Sequence, residues 1–212
     1  MSTYLLTRPD HDDTTHYLFA WVGETIPEAE NKGVKVIDLY HKRAVRKEVE
    51  NIINKVSPDF VVFNGHGDEN TVTGHNRQPI IIAGENESML HKKIIYAISC
   101  SSAKNLGQKA VNAGASSYTG YDDDFVFFYE PENLSRPLKD KTAKIFLEHS
   151  NLFITSIIKG NSVSEAKKKA ELLLKNNIVK LLGRSDVDAQ LVRYLWWDLR
   201  HFVSHGNENA VL

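Results

Sequence analysis

Two residues carry most of the chemistry that this chain could perform. Cys100 is the only cysteine among 212 residues, and His66 stands between Gly65 and Gly67. A thiolate is a strong nucleophile and an imidazole moves protons near neutral pH, so together they can cleave a carbonyl compound by acyl transfer. A lone cysteine is more often a small buried hydrophobe, and position must decide between the two. A single cysteine also excludes an internal disulfide framework.

Position depends on the elements that carry these residues. Tyr4-Leu5-Leu6 predicts a short strand, and Thr14 to Asn31 a helical segment that stops at Lys32-Gly33. Val34 to Leu39 is β-branched and alternating, which predicts a second strand. Arg43 to Val56 spaces Val45, Val49, Ile52, Ile53 and Val56 as one helical face. Asp59 to Phe63 and Ile94 to Ile98 are apolar runs of the kind found in parallel strands covered on both faces. The first stops at Asn64-Gly65-His66-Gly67 and the second at Ser99-Cys100. Between them, roughly Thr71 to Met89 predicts a small hairpin. A helix from Lys104 to Asn112 and a strand from Ser116 to Tyr121 follow. After Pro137 the pattern is helical, over about 140–158, 162–182 and 186–203, with a capping-box signature at Ser162-Val163-Ser164-Glu165. The tail from Gly206 is expected to be loose. This order predicts an α/β fold with a mostly parallel sheet and right-handed crossovers. The expected organisation is a domain over 1–182, with 183–212 a C-terminal helix and tail packed on it.

In open α/β sheets, ligands bind beyond the carboxyl ends of the strands. His66 and Cys100 both fall there, on strands expected to be neighbours about 4.8 Å apart. Cys100 is expected to open the following helix, whose N-terminus would favour the thiolate. The N–H groups of Gly67 and Cys100 are candidates for an oxyanion hole.

The stretches Phe60-Val-Val-Phe-Asn-Gly-His-Gly67, Ile94-Ile-Tyr-Ala-Ile-Ser-Cys-Ser-Ser102 and Ala113-Gly-Ala-Ser-Ser-Tyr-Thr-Gly120 resemble the caspase-like (clan CD) cysteine peptidases. The resemblance is to prokaryotic members of the CHAT-domain, gingipain-like and separase-like kind, and it spans roughly residues 1 to 175. It implies a caspase-like three-layer α/β/α sandwich with a helical C-terminal extension. It also implies peptide-bond hydrolysis through a thioester on Cys100, with His66 protonating the leaving amine and no third orienting residue required. Family analogy alone adds a role in bacterial defence or regulated cell death. The chain departs from true caspases in having Ser99-Cys100-Ser101 for Q-A-C, and a His-to-Cys spacing shorter than about 50 positions. Preference for Asp at P1 is therefore not expected. Asp10 and Asp12 after the first strand, and Asp122 and Asp123 after the last, are candidates for an S1 pocket that prefers Lys or Arg.

Composition narrows the partners. Lys+Arg 26 against Asp+Glu 27, a formal net charge of -1, gives no electrostatic reason for nucleic acid or an acidic membrane. No signal-peptide pattern opens the chain and no apolar run reaches the roughly 20 residues of a membrane span, so a cytoplasmic location is expected. The expected partner is a protein or peptide substrate, with any activation coming from another chain. No cofactor or metal is expected. Two competing readings are a non-catalytic caspase-like interaction module and a metal-dependent hydrolase using Asp10, His11, Asp12, His16, His66, Asp68 or His75. The triplet Lys167-Lys168-Lys169 reads as a solvated helix face, and Tyr194, Trp196, Trp197 and Phe202 as packing residues. His201 and His205, at i, i+4, read as surface histidines.

Overall fold

A computed structural model of the chain describes residues 2–183 and 190–212. The elements are β1 (Thr3–Arg8), α1 (Asp13–Gly23), α2 (Thr25–Asn31), β2 (Lys35–Tyr40), α3 (Arg46–Val56), β3 (Phe60–Asn64), β4 (Gly67–Asp68), β5 (Thr71–Thr73) and β6 (Pro79–Ile82). They continue as β7 (Ile94–Ile98), α4 (Leu106–Asn112), β8 (Ser117–Tyr121), α5 (Lys141–Ile158), α6 (Val163–Leu182), α7 (Val192–His201) and β9 (Phe202–Gly206). Six strands form one sheet in the order β2-β1-β3-β7-β8-β9. The first five are parallel and β9 closes the edge antiparallel to β8. The chain is thus an α/β protein with a mostly parallel six-stranded sheet, flanking helices and a C-terminal helical region.

The apolar runs are continuous because both faces of the central strands are covered. Tyr4, Leu6, Phe60, Val62, Ile94, Tyr96 and Ile98 enter one core with residues of α1, α5 and α6, such as Leu18, Phe146, Phe153, Ala170 and Leu174. Their alternates Leu5, Val61, Phe63, Ile95 and Ala97 enter the other, with Val49 and Ile53 of α3, Leu106 and Ala110 of α4, and Val72, Ile80 and Ile81 of the insert. Adjacent residues point to opposite faces of a strand, so both sets must be apolar. The capping box at Ser162 and Glu165 forms as the sequence predicts.

Three expectations need correction. The insert is a three-stranded antiparallel sheet, β4-β5-β6, that begins directly after His66 rather than a hairpin starting at Thr71. The last predicted helix, over 186–203, is α7 only to His201, and its residues 186–189 lie outside the described residues. Phe202–Gly206 is a strand, because β8 would otherwise present an unpaired edge of backbone donors and acceptors. The tail is held: Asn207 N–H donates to Ser116 O at 2.8 Å, and Glu208 O and Ala210 O accept from Ser164 and Val163 at 2.9 and 3.0 Å. Among the described residues no helix is long and apolar enough to cross a membrane.

Candidate active site

The chain leaves β1 for β2 on one side and returns to lay β3 on the other. Such a reversal opens a crevice beyond the carboxyl ends of the two strands. His11 and Asp12 follow β1 into it, and His66 follows β3. Cys100 follows β7, the other neighbour of β3. Asn64 pairs with Ile98, so His66 and Cys100 each stand two residues past a paired position on neighbouring strands.

Each strand is stopped by a backbone conformation that few residues adopt. Gly65 has φ 144°, and a Cβ there would lie 2.7 Å from the Thr73 carbonyl oxygen. Beyond Cys100, Ser101 takes the left-handed conformation with φ 56°. Its N–H donates to Asp123 O at 2.8 Å, which draws the loop after β8 against the turn. Non-glycine residues held in this region concentrate at functional sites.

His66 is fixed by a carboxylate. Its Nε2 lies 2.7 Å from Asp12 Oδ2. Asp12 is itself immobilised as the N-cap of α1, with Oδ1 accepting from the Thr15 N–H and hydroxyl, both at 2.9 Å. Burial works to raise the Asp12 pKa, but the bonds from Thr15 and His66 prevail and hold it well below the usual carboxylate range. An ionised carboxylate only accepts, so Nε2 carries the proton and Nδ1 is left for the cleft. The resemblance required no orienting residue; the structure supplies one, and gives Asp12 this task instead of a free place in a specificity pocket. Arg77 reaches the same oxygen at 3.4 Å. Burial lowers the pKa of the adjacent His11, and its two ring nitrogens have no hydrogen-bond partner.

Cys100 sits in different surroundings. Its Sγ is 3.8 Å from Phe125 O. Burial chiefly, with the Asp124 and Asp198 carboxyls behind it, pushes the thiol above the ordinary cysteine value. The expectation that Cys100 opens a helix is corrected: α4 starts at Leu106, after the turn over 101–105, so no helix end lowers the thiol pKa. Asp198 is buried on α7, with Oδ1 accepting from Val126 N–H at 3.0 Å and Oδ2 unpartnered. Burial raises its carboxyl well above the usual range. Nothing in the charged-looking Trp196-Trp197-Asp198-Leu199-Arg200 marked it as a buried acid near Cys100.

The two backbone donors expected to form an oxyanion site, Gly67 and Cys100, lie on segments that approach closely. Cys100 N–H has no partner among the described residues. Gly67 faces Val72, while the adjacent pair carries the ladder bond, from Thr73 N–H to His66 O at 2.9 Å. Hydrogen-bonded and non-bonded pairs alternate along antiparallel strands, which leaves the Gly67 N–H turned away from β5. A Cβ on Gly67 would lie 3.0 Å from Ser99 Cβ and 3.1 Å from Cys100 O, so only glycine lets the two segments approach this closely.

The proposed specificity carboxylates divide. Asp10 and Asp12 lie beyond β1, and Asp122 and Asp123 beyond β8, three strand spacings or roughly 14 Å away. They flank the cleft from two sides and do not share one pocket. Asp10 Oδ1 takes His16 Nδ1 at 3.1 Å and Asp122 Oδ1 takes His201 Nδ1 at 2.7 Å. His205 is held by Ala103 O at 2.8 Å, so each member of the i, i+4 histidine pair has its own partner. Neither a comparison with protein-family models nor one with curated proteins returns a match for this chain.

Proposed function

We propose that this chain is a cysteine endopeptidase of the caspase-like (clan CD) kind, with a three-layer α/β/α sandwich of that type as its fold. The observation that carries the reading is that His66 and Cys100 each stand two residues past a paired position on adjacent parallel strands. Six strands in the order β2-β1-β3-β7-β8-β9, the last antiparallel, support the same reading.

In the proposed mechanism Cys100 Sγ attacks the scissile carbonyl carbon and gives its proton to His66 Nδ1. Asp12 stabilises the imidazolium through Nε2. The N–H groups of Gly67 and Cys100 receive the oxyanion. The C–N bond then breaks, His66 returns the proton to the leaving amine, and the acyl group remains as a thioester. Water adds to the thioester, the C–S bond breaks, and the thiol and a free carboxylic acid are regenerated. The half-buried, weakly acidic thiol faces Phe125 O, and docking of substrate or of an activating partner chain displaces that contact. The acidic groups gathered at the Cys100 end support a Lys or Arg residue at P1.

A positional-scanning peptide library run on wild type and Cys100→Ala tests class and specificity together. Cleavage after Lys or Arg that vanishes in the variant is expected; cleavage that survives Cys100→Ala removes the reading. A metal-dependent hydrolase is the second reading, favoured by the gathering of His11, Asp12 and His66. Activity abolished by chelator but untouched by Cys100→Ala would put it first.

A further inference from the structure

His11 is the least satisfied polar side chain in the crevice. It is one-tenth exposed, at 10%, and among the described residues neither Nδ1 nor Nε2 has a hydrogen-bond partner. Its ring lies between two other imidazoles, 6.0 Å from that of His66 and 5.6 Å from that of His75. The His75 Nδ1 is buried without a partner as well. A buried polar atom with no protein partner is rare in a folded protein, and an ion is one of the groups that satisfies it. Here the unmatched groups are lone-pair donors, and an ionised carboxylate stands beside them.

One ligand atom each from His11, Asp12 and His66 lie within 4.8 Å of one another. Within the set, His66 Nε2 is 2.7 Å and His11 Nε2 is 3.7 Å from Asp12 Oδ2. Bonds of about 2.0–2.2 Å at a tetrahedral ion separate neighbouring ligand atoms by roughly 3.3 Å. Moves of less than an ångström for these pairs therefore convert the cluster into a coordination sphere. Two imidazoles and one carboxylate form a borderline donor set, suited to Zn2+ and poor for Mg2+ or Ca2+, which take oxygen. The Thr15 N–H and hydroxyl on Asp12 Oδ1 already hold the carboxylate as an outer-shell partner would. A surface pocket lined by Asp10, His11, Asp12, Asp13, His16 and Leu134 gives an ion a way in. The group that opposes a cation is Arg77, 3.4 Å from Asp12 Oδ2, but its side chain is 67% exposed and free to swing into solvent.

We propose that His11, Asp12 and His66 form a binding site for one Zn2+ ion, and that zinc bound there takes His66 Nε2 away from Asp12 and switches off the Cys100 chemistry. The ion replaces the proton on Nε2, releasing it to solvent, and water fills the fourth position. Zinc binding stands on the cluster alone; the switch rests on the peptidase reading.

Full-length protein stripped with chelator and titrated with ZnCl2 in a calorimeter, and with CoCl2 by visible absorption, tests both parts. Wild type is expected to take one equivalent of either metal, with a tetrahedral cobalt band that zinc bleaches. His11→Ala should bind zinc more weakly by at least the roughly 10–100-fold that loss of an outer-shell partner produces. The variant's cleavage is read relative to its own rate in chelator and its thermal melt reports its fold; if it does not fold, His66→Ala read by binding alone replaces it. Cys100→Ala should bind zinc as wild type does. No stoichiometric binding by wild type, undiminished binding by His11→Ala, or loss of binding in Cys100→Ala overturns the site. Zinc should stop wild-type cleavage at a concentration that spares His11→Ala, and cleavage undiminished at saturating zinc overturns the switch. Zinc binding through His11 in a protein that cleaves nothing would defeat the peptidase reading while keeping the site.

Discussion

The two strand ends that make up the cleft differ in readiness. At the β3 end, His66 is bonded through Nε2 to a carboxylate that a helix cap already holds in place. At the β7 end, the thiol of Cys100 is largely buried, faces a carbonyl oxygen, and is held in its neutral form by burial and acidic neighbours. The proton-transfer group is set and the nucleophile is held back. The segment after β8 covers the cysteine end, contributing Asp123 O to Ser101 and Phe125 O to Cys100; under the proposed peptidase reading, substrate must displace it.

The contrast can be broken by variants at either end. His66→Ala should lower kcat by roughly 10²–10⁴-fold, the whole contribution of a general acid–base group; steady-state cleavage of a Lys-P1 peptide measures it. Gly67→Ala places a Cβ 2.8 Å from Thr71 O and against Ser99 and Cys100. The displacement should lower kcat by about 10²-fold with little change in KM. Asp12→Ala should cost at least about tenfold but less than loss of His66 itself, because it removes only the orientation and charge support of the imidazole. Equal losses in Asp12→Ala and His66→Ala would mean that the carboxylate does more than orient. The smallest effect is expected at the cysteine end. With its pKa raised, Cys100 should alkylate with iodoacetamide slowly at neutral pH, and faster as pH climbs through a midpoint above that of free cysteine. Asp124→Asn removes a negative charge that disfavours the thiolate, so the midpoint should move down by a few tenths of a pH unit. A midpoint below that of free cysteine in wild type would reverse the comparison.

Much of this arrangement could be read from the chain. The runs ending at Phe63 and Ile98 announced two buried parallel strands, and His66 and Cys100 were legible as residues at their ends. What escaped depends on partners distant in sequence. Asp12 caps α1 after β1, but its second oxygen finds His66 only because β3 returns to lie beside β1. Phe202–Gly206 has no local signal that separates it from α7; the open edge of β8 makes it a strand. Asp198 looks like one polar residue on an exposed helix, and only the packing of α7 against Val126 buries it. The pattern predicts a helix from Lys104 opened by Cys100, yet after the left-handed Ser101 it starts only at Leu106, which deprives Cys100 of its N-terminus.

The most direct test of the His66/Cys100 pair is covalent titration with a peptidyl acyloxymethyl ketone carrying Lys at P1, followed by intact-mass measurement. One adduct per chain is expected in wild type, formed far more slowly in His66→Ala and absent in Cys100→Ala. Adduct formation at the same rate in His66→Ala, or none in a wild-type sample that still cleaves peptide, would contradict the pairing.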